Sequence, residues 1–310
     1  LDAVLSDALA HYRRPWLLSA LLILKIMQII QMTLDPLSSL LAHFRMRAGT
    51  FFNGELCGST PQYGTGHSGQ LHLLRSGSLE LQVSGQRPLQ VERPSLLFFP
   101  RPLPHRLRWR QTEPMQLVCA NLEFEGGANS PLAAALPEQL VLSLNELPEL
   151  SQLVDWLCRE AGQAQPGQNA ALDRLFELLV IQLLRREIQT GAPTTPLLAG
   201  LADPQLARAL DAIHRNPAHA WDLPQLAALA HMSRSRFAQR FQQRLACTPG
   251  EYLLGWRAGL VRQGLLQGKR IGVLAESVGY QSPAALTRAF RRHSGLSPRD
   301  WLRSQQNTGE

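Results

Sequence analysis

From about residue 50 to 125, apolar positions come in short alternating runs broken by turn residues, a pattern that predicts strands. QLHLLRSGSLELQVSGQ (70–86) divides at Gly77 into two alternating runs, and SLLFFP (95–100) is a compact apolar strand. MQLVCANLEF (115–124) alternates to the end of the sheet. Strands at roughly 8–12-residue spacing predict a small sandwich or barrel. Pro100, Pro102 and Pro104 ahead of His105 predict a tight turn. Near residue 147 the period changes. ELSQLVDWLCREAG (149–162) and NAALDRLFELLVIQLLRREIQ (169–189) place apolar residues three and four apart, so both read as helices. The second is apolar around much of its circumference (Leu172, Leu175, Phe176, Leu179, Val180, Leu183, Leu184) and must bury more than one face, in a bundle or against a second copy. TGAPTTPLLAGLADP (190–204) has the composition of a linker.

The last third contains a duplication. FQQRLACTPGEY (241–252) and FRRHSGLSPRDW (290–301) both fit F-x6-[ST]-P-x-x-aromatic, 49 residues apart. Ahead of each lies a short helix, a tight turn and a second helix, LPQLAALAHMSRSRFAQRF (223–241) and IGVLAESVGYQSPAALTRAF (271–290). This is the plan of a helix-turn-helix. Ala227 and Ala275 let the paired helices approach, and Gly279 supplies a left-handed turn for which His231 stands in copy one. Ser233 is a good N-cap in copy one, and Gln281–Ser282 with Pro283 opens the matching helix of copy two. With Phe237 and Phe241 turned to a core, Arg234, Ser235, Arg236, Gln239 and Arg240 face outward. With Leu286 and Phe290 buried, Gln281, Ser282, Ala285, Arg288, Arg291 and Arg292 are available. Arg and Gln near a helix N-terminus reach base edges in the major groove, while Ser, helix-terminal amides and outlying Arg hold phosphates. EYLLGWRAGLVRQGLLQ (251–267) reads as a connecting helix that would set two recognition helices in successive major grooves, about 34 Å apart.

Charge agrees with this division. Of 310 residues, 1–200 carry 16 basic and 17 acidic side chains, and 201–310 carry 15 and 7, so the net +7 comes from the last third. A nucleic-acid-binding module attached to a neutral partner accounts for that distribution, and a solvated basic face is the plain alternative. An apolar fraction of 45% excludes disorder as the main state. Four cysteines without a C-x-x-C pair make neither a disulfide scaffold nor a zinc ribbon, and they suit a reducing cytoplasm. WLLSALLILKIMQII (16–30) looks like a signal or membrane segment. It is shorter than the about 20 residues a bilayer requires, and Lys25 interrupts it. Residues 1–31 are therefore read as an extension outside the functional fold, with no membrane partner; a membrane anchor is the lesser reading.

Across 206–303 the sequence resembles the DNA-binding domain of AraC/XylS-type transcriptional regulators. The motifs that carry the resemblance are LAALAHMSRSRFAQRFQQRLACTPGEY and IGVLAESVGYQSPAALTRAFRRHSGLSPRDW, with Ala246 standing where copy two has Gly295. The strand region is similar to the cupin-type sensor of one branch of that family, through DPLSSLL, FFNGELCGS, GQLHLLRSGSLELQV, SLLFFPRPLPHRL and QLVCANLEF. The resemblance implies an α+β multidomain chain: a cupin-like β-barrel with a helical hairpin, then an all-α double helix-turn-helix domain. The divisions expected are 1–31, a sensor at 32–145, a dimerising hairpin at 146–190, a linker at 191–204, the DNA-binding domain at 205–304 and a tail at 305–310. The implied role is a non-enzymatic, sequence-specific regulator. Its partners would be promoter DNA, a second copy, and RNA polymerase if it activates.

The same branch includes hypochlorous-acid-responsive activators, and the resemblance places Cys57 and Cys119 at their functional cysteines. A sensing thiol needs thiolate character and access, for which Arg106, Arg108 and Arg110 are nearby candidates. Two buried hydrophobic thiols are the alternative. Cys158 and Cys247, among apolar helix neighbours, read as packing residues. His72 and His105, with Cys57 or His67, are a rival metal set, but Leu73–Leu74 stand where a second ligand belongs; no metal or other cofactor is expected. A small molecule in the barrel remains the competing signal, and a metal-dependent cupin enzyme fused to a DNA-binding domain the remote one.

Overall fold

The computed structural model describes residues 35–56, 63–64, 66–109, 115–127, 130–189 and 195–307; the 1–31 extension, Cys57 and Arg110 lie outside these. The described chain begins with α1 (Pro36–His43), whose N-cap Asp35 accepts the Ser38 N–H. Strands follow as β1 (Met46–Leu56), β2 (Gly69–Ser76), β3 (Leu79–Val83), β4 (Leu89–Val91), β5 (Ser95–Phe99), β6 (His105–Arg108) and β7 (Met115–Phe124). Helix α2 (Pro131–Ala134) and β8 (Leu140–Ser143) complete this part. All pairings are antiparallel, in a five-stranded sheet ordered β1-β7-β2-β5-β8 and a three-stranded sheet ordered β4-β3-β6.

Why β2, β5 and β7 are mostly buried on both faces follows from their position. Alternate residues point to opposite faces of a strand, and here both faces are covered. Leu74, Leu97, Phe99, Leu117 and Cys119 point between the two sheets. Leu71, Leu73, Leu96, Phe98, Val118 and Ala120 point outward beneath helices. The helices covering that outer face include α3 (Ser151–Ala161) and α4 (Gln168–Gln189). All seven apolar residues expected to wrap α4 are buried.

The stretch read as a linker is partly ordered. Residues 190–194 lie outside the described set, but α5 (Pro196–Leu201) is a helix with Leu198, Gly200 and Leu201 buried. Then come α6 (Pro204–Arg215), α7 (Leu223–Leu229), α8 (Arg234–Leu245), α9 (Pro249–Leu266), α10 (Ile271–Ser277), α11 (Pro283–Ser294) and α12 (Pro298–Asn307). The pairs α7–α8 and α10–α11 are the two helix-turn-helix units, joined by α9. The division at residue 204 does not separate two cores. One apolar cluster runs from Leu40, Phe44 and Leu122 through Leu183 to Phe237, Phe241 and Trp256. The second unit has its own small core, with Val261, Leu274, Leu286, Phe290 and Trp301.

The nucleic-acid face and a buried histidine–cysteine chain

The repeated motif is a structural device. Thr248 caps α9, with Pro249 in its first turn and Glu251 closing a capping box. In copy two, Ser297 accepts the Asp300 N–H at 3.2 Å ahead of Pro298. The aromatic residue that ends each motif packs on the phenylalanine that begins it: Tyr252 lies 5.7 Å from Phe241 and Trp301 6.4 Å from Phe290, between ring centroids. The second helix of each unit is thus locked to the helix that follows it.

The turns behave as their residues suggest. Gly279 has φ of +81°, and a Cβ there would sit 2.1 Å from the Ala218 carbonyl oxygen, so only glycine fits. His231 takes the same left-handed region at φ 52°.

Ser233 accepts the Arg236 N–H at 3.4 Å, and Ser282 accepts the Ala285 N–H at 3.2 Å, so both serines spend their hydroxyls as caps. Phe237, Phe241, Leu286 and Phe290 are buried as the spacing demanded. Arg234, Ser235, Arg236 and Gln239 of α8 are exposed, as are Gln281, Arg288, Arg291 and Arg292 of the second unit; Ala285 and Ser282 are half-buried. Arg240 departs from the expectation of a free outward side chain. It is one-third exposed, and its Nε donates to Asp203 Oδ2 at 2.6 Å.

Other basic residues also brace the fold. Arg257 donates to the carbonyls of Pro217 (2.7 Å) and His219 (2.8 Å) and lies 5.3 Å from the Tyr280 ring centroid. Arg262 covers Phe290 and Trp301. Burial depresses its pKa from the usual arginine value. The sequence showed these arginines as part of one basic surplus. Their structural duty was invisible because carbonyl partners leave no mark in sequence. Asp203–Pro204 does carry a signal, the Asp–Pro start of a helix, but nothing ties it to a residue 37 positions on.

Between the sheets lies the second candidate. Cys119 Sγ is 3.0 Å from His72 Nδ1, His72 Nε2 is 2.8 Å from His105 Nε2, and His105 Nδ1 is 2.7 Å from the Leu103 carbonyl oxygen. The carbonyl can only accept, and that fixes every proton in the chain. His105 donates from Nδ1 and accepts at Nε2; His72 donates from Nε2; the Cys119 S–H donates to His72 Nδ1. Burial depresses the pKa of both histidines, His72 most strongly, and so keeps both neutral.

One expectation meets a correction here. Of the arginines proposed to acidify a sensing thiol, Arg106 and Arg108 do not face Cys119: alternation along β6 turns His105 and Leu107 inward and these two outward, while Arg110 lies outside the described residues. Burial instead pushes the Cys119 thiol well above its ordinary value. Of the rival metal set, Cys57 lies outside the described residues, and the described members do not form a ligand group. His72 meets Cys119 through one ring nitrogen and His105 through the other, and His67 is exposed. Among the described residues no group of three or more His, Cys, Asp or Glu side chains could hold a metal ion. Cys158 and Cys247 are half-buried, and burial raises both thiols, which suits packing residues.

A two-sheet domain whose core continues into the first of two helix-turn-helix units, each with an exposed Arg/Gln face, defines a DNA-binding transcriptional regulator. Family models agree: a cupin domain matches residues 35–189 and a helix-turn-helix domain residues 226–304. The chain belongs to the AraC-type regulators with a cupin-like N-terminal domain. It is 33% identical over 196 residues to an HTH-type transcriptional regulator of Haemophilus influenzae, a match covering 63% of this chain and 65% of that one. It is 28% identical to the RCS-specific transcriptional activator RclR of Escherichia coli, covering 74% of this chain and 82% of RclR. The DNA-binding domain of AdpA, solved with a target DNA, is 28% identical over 34% of this chain and 96% of its own, with a TM-score of 0.31. The chain spans less than two thirds of the length of several curated relatives it matches, 52% of a Streptomyces antibioticus regulator among them.

Proposed function

We propose that this protein binds promoter DNA as a homodimer through α8 and α11 and changes its transcriptional output when an oxidant modifies the barrel. The observation that carries the DNA reading is the pair of capped helices presenting Arg234, Arg236 and Gln239 on one and Arg288 and Arg291 on the other, with Gln281 just ahead of its cap. Such binding belongs to the compartment that holds the chromosome, the cytoplasm. Among the described residues no helix is long and apolar enough to cross a membrane. The α3–α4 hairpin is the proposed pairing surface. It leaves Trp156 52% and Leu178 37% exposed, apolar area that a second copy would cover.

The Cys119–His72–His105 chain supports the oxidant reading over a metal. Burial now raises the Cys119 thiol and keeps His72 neutral, so the reading requires the two sheets to open to the oxidant; His72 Nδ1, the acceptor already seated on the thiol, then relays its proton as sulfur reacts. With a hypohalous acid, Cys119 sulfur attacks the halogen, and the released hydroxide combines with the thiol proton to leave as water. A second thiol, for which Cys57 is proposed, then displaces halide from the sulfenyl halide; the halide departs with a proton and a disulfide forms. The test is a reporter under the protein's own promoter, dosed with dilute hypohalous acid. Loss of the response in Cys119→Ser and in Cys57→Ser, with basal DNA binding intact, is the expected result. A full response in either variant removes that cysteine from the mechanism.

A further inference from the structure

Arg240 differs from Arg234 and Arg236 on the same helix. Those two are exposed, whereas the Arg240 side chain is 33% exposed and held by a carboxylate that is itself only 2% exposed. Every oxygen of that carboxylate is occupied. Asp203 Oδ1 accepts the N–H groups of Gln205 (3.1 Å) and Leu206 (3.3 Å), capping α6, and Oδ2 accepts Arg240 Nε at 2.6 Å. The contact uses Nε, so the fork of terminal nitrogens is left for a phosphate or a guanine edge. Arg240 shares a shallow groove with Arg236, Gln239, Gln243 and Arg244, on the face assigned to DNA.

Asp203 also stands at a mechanical joint. It follows α5, which packs behind α8 so closely that a Cβ on Gly200 would lie 2.9 Å from Leu245 Cδ1. At its other end α5 is tied to the sensor, where Thr195 Oγ1 donates to the Ala135 carbonyl at 2.5 Å.

We propose that Asp203 is a positioning residue for DNA recognition: its buried carboxylate fixes the Arg240 guanidinium on the DNA face of α8 and registers that helix against the α5 strut. The long arginine side chain is thereby ordered before DNA arrives, and the cost of ordering it is not charged to binding. The inference rests on α8 being a recognition helix, and the experiment separates the two claims.

The full-length chain is titrated with a duplex that the wild type selects from a random pool, and with a scrambled duplex of equal length. The readout is the ratio of the two dissociation constants, which does not move when part of the sample is inactive. Asp203→Asn keeps a good N-cap but gives up the charge that holds Arg240. It should lower the ratio roughly tenfold while melting as a folded protein. Arg240→Lys, which keeps charge but loses the planar fork, should fall similarly. The double variant should be no worse than either single, because one contact is removed in all three. An unchanged ratio in Asp203→Asn, or multiplicative losses in the double variant, overturns the proposal. If Asp203→Asn does not fold, an unchanged ratio in Arg240→Lys overturns it alone. Arg236→Ala reports on the helix itself. Should it leave the ratio unchanged, the recognition-helix reading falls; should it lower the ratio while Asp203→Asn does not, only the positioning role falls.

Discussion

The two helix-turn-helix units share a motif, caps and an aromatic lock, yet they sit in different mechanical surroundings. The first is built into the sensor. Phe44 packs edge-on against Trp256 at 5.0 Å, Ser39 donates to Asp211 at 2.6 Å, and Phe237 and Phe241 belong to the same core as Leu122. The second gathers Leu274, Leu286, Phe290 and Trp301 around the far end of α9. A change in the barrel therefore has a packed route to the first unit, while the second is reached mainly through α9 and the close contact of Gly279 with Ala218. A repeat in sequence does not make a repeat in coupling, because the inner faces of α8 and α11 meet different neighbours.

That contrast can be broken most forcefully by emptying each core. Phe241→Ala and Phe290→Ala should each cost roughly 3–5 kcal/mol. Hydrogen exchange should show Phe241→Ala loosening sensor and first unit together, and Phe290→Ala loosening the second unit alone. Equal spreading in both variants would erase the distinction.

Acid probes the same boundary. His214, fully buried under the first unit, stacks on Trp256 at 3.8 Å and shares a 2.6 Å hydrogen bond with Tyr252 Oη. Burial, aided by nearby His43, lowers its pKa from 6.5 to about 3. The unfolded chain takes up a proton below pH 6.5 that the folded one refuses, so stability is full above that pH and is lost as pH falls toward 3. The slope is about 1.4 kcal/mol per pH unit. Thermal melts of His214→Phe between pH 7 and 4.5 should show a flatter decline than wild type; a parallel decline would clear His214 of the effect.

On the DNA side, Arg236→Ala and Arg288→Ala should each weaken binding to a selected duplex by about 1–3 kcal/mol. Oxidant treatment, arriving through the sensor, should alter footprints at the half-site read by α8 before those read by α11. The smallest effect tests the helix ends. Ala246 and Gly295 are the matching left-handed caps, at φ 56° and 76°. Ala246→Gly should stabilise and Gly295→Ala destabilise, each by about 1 kcal/mol, read as opposite shifts in melting temperature.

Much of the architecture was legible in the chain. Period-two runs marked β2, β3 and β7, a compact apolar run marked β5, and the change of period marked α3 and α4. Ser233 and Ser282–Pro283 marked helix starts, because caps and proline act on their own few residues; Thr248–Pro249 and Ser297–Pro298, read only as parts of a repeated motif, prove to be helix starts as well. Phe237, Phe241, Leu286 and Phe290 marked the inner faces, and with them the outward Arg and Gln. α5 was read as linker because its six residues are flanked by Pro and Gly; what makes it a helix is burial of Leu198 and Leu201.

By itself, then, the sequence determined whatever depends on neighbours within a turn or two: periods, caps, the duplicated unit and the sign of its charge. Tertiary structure decided which side chains those elements bring together. It turned Arg106 and Arg108 away from Cys119, set His72 between a thiol and a second histidine, and gave Arg240 to Asp203. It also merged the sensor's core with that of the first DNA-binding unit. The reason is physical: local geometry fixes the face on which a side chain lies, but burial, charge state and partner are set by residues far along the chain.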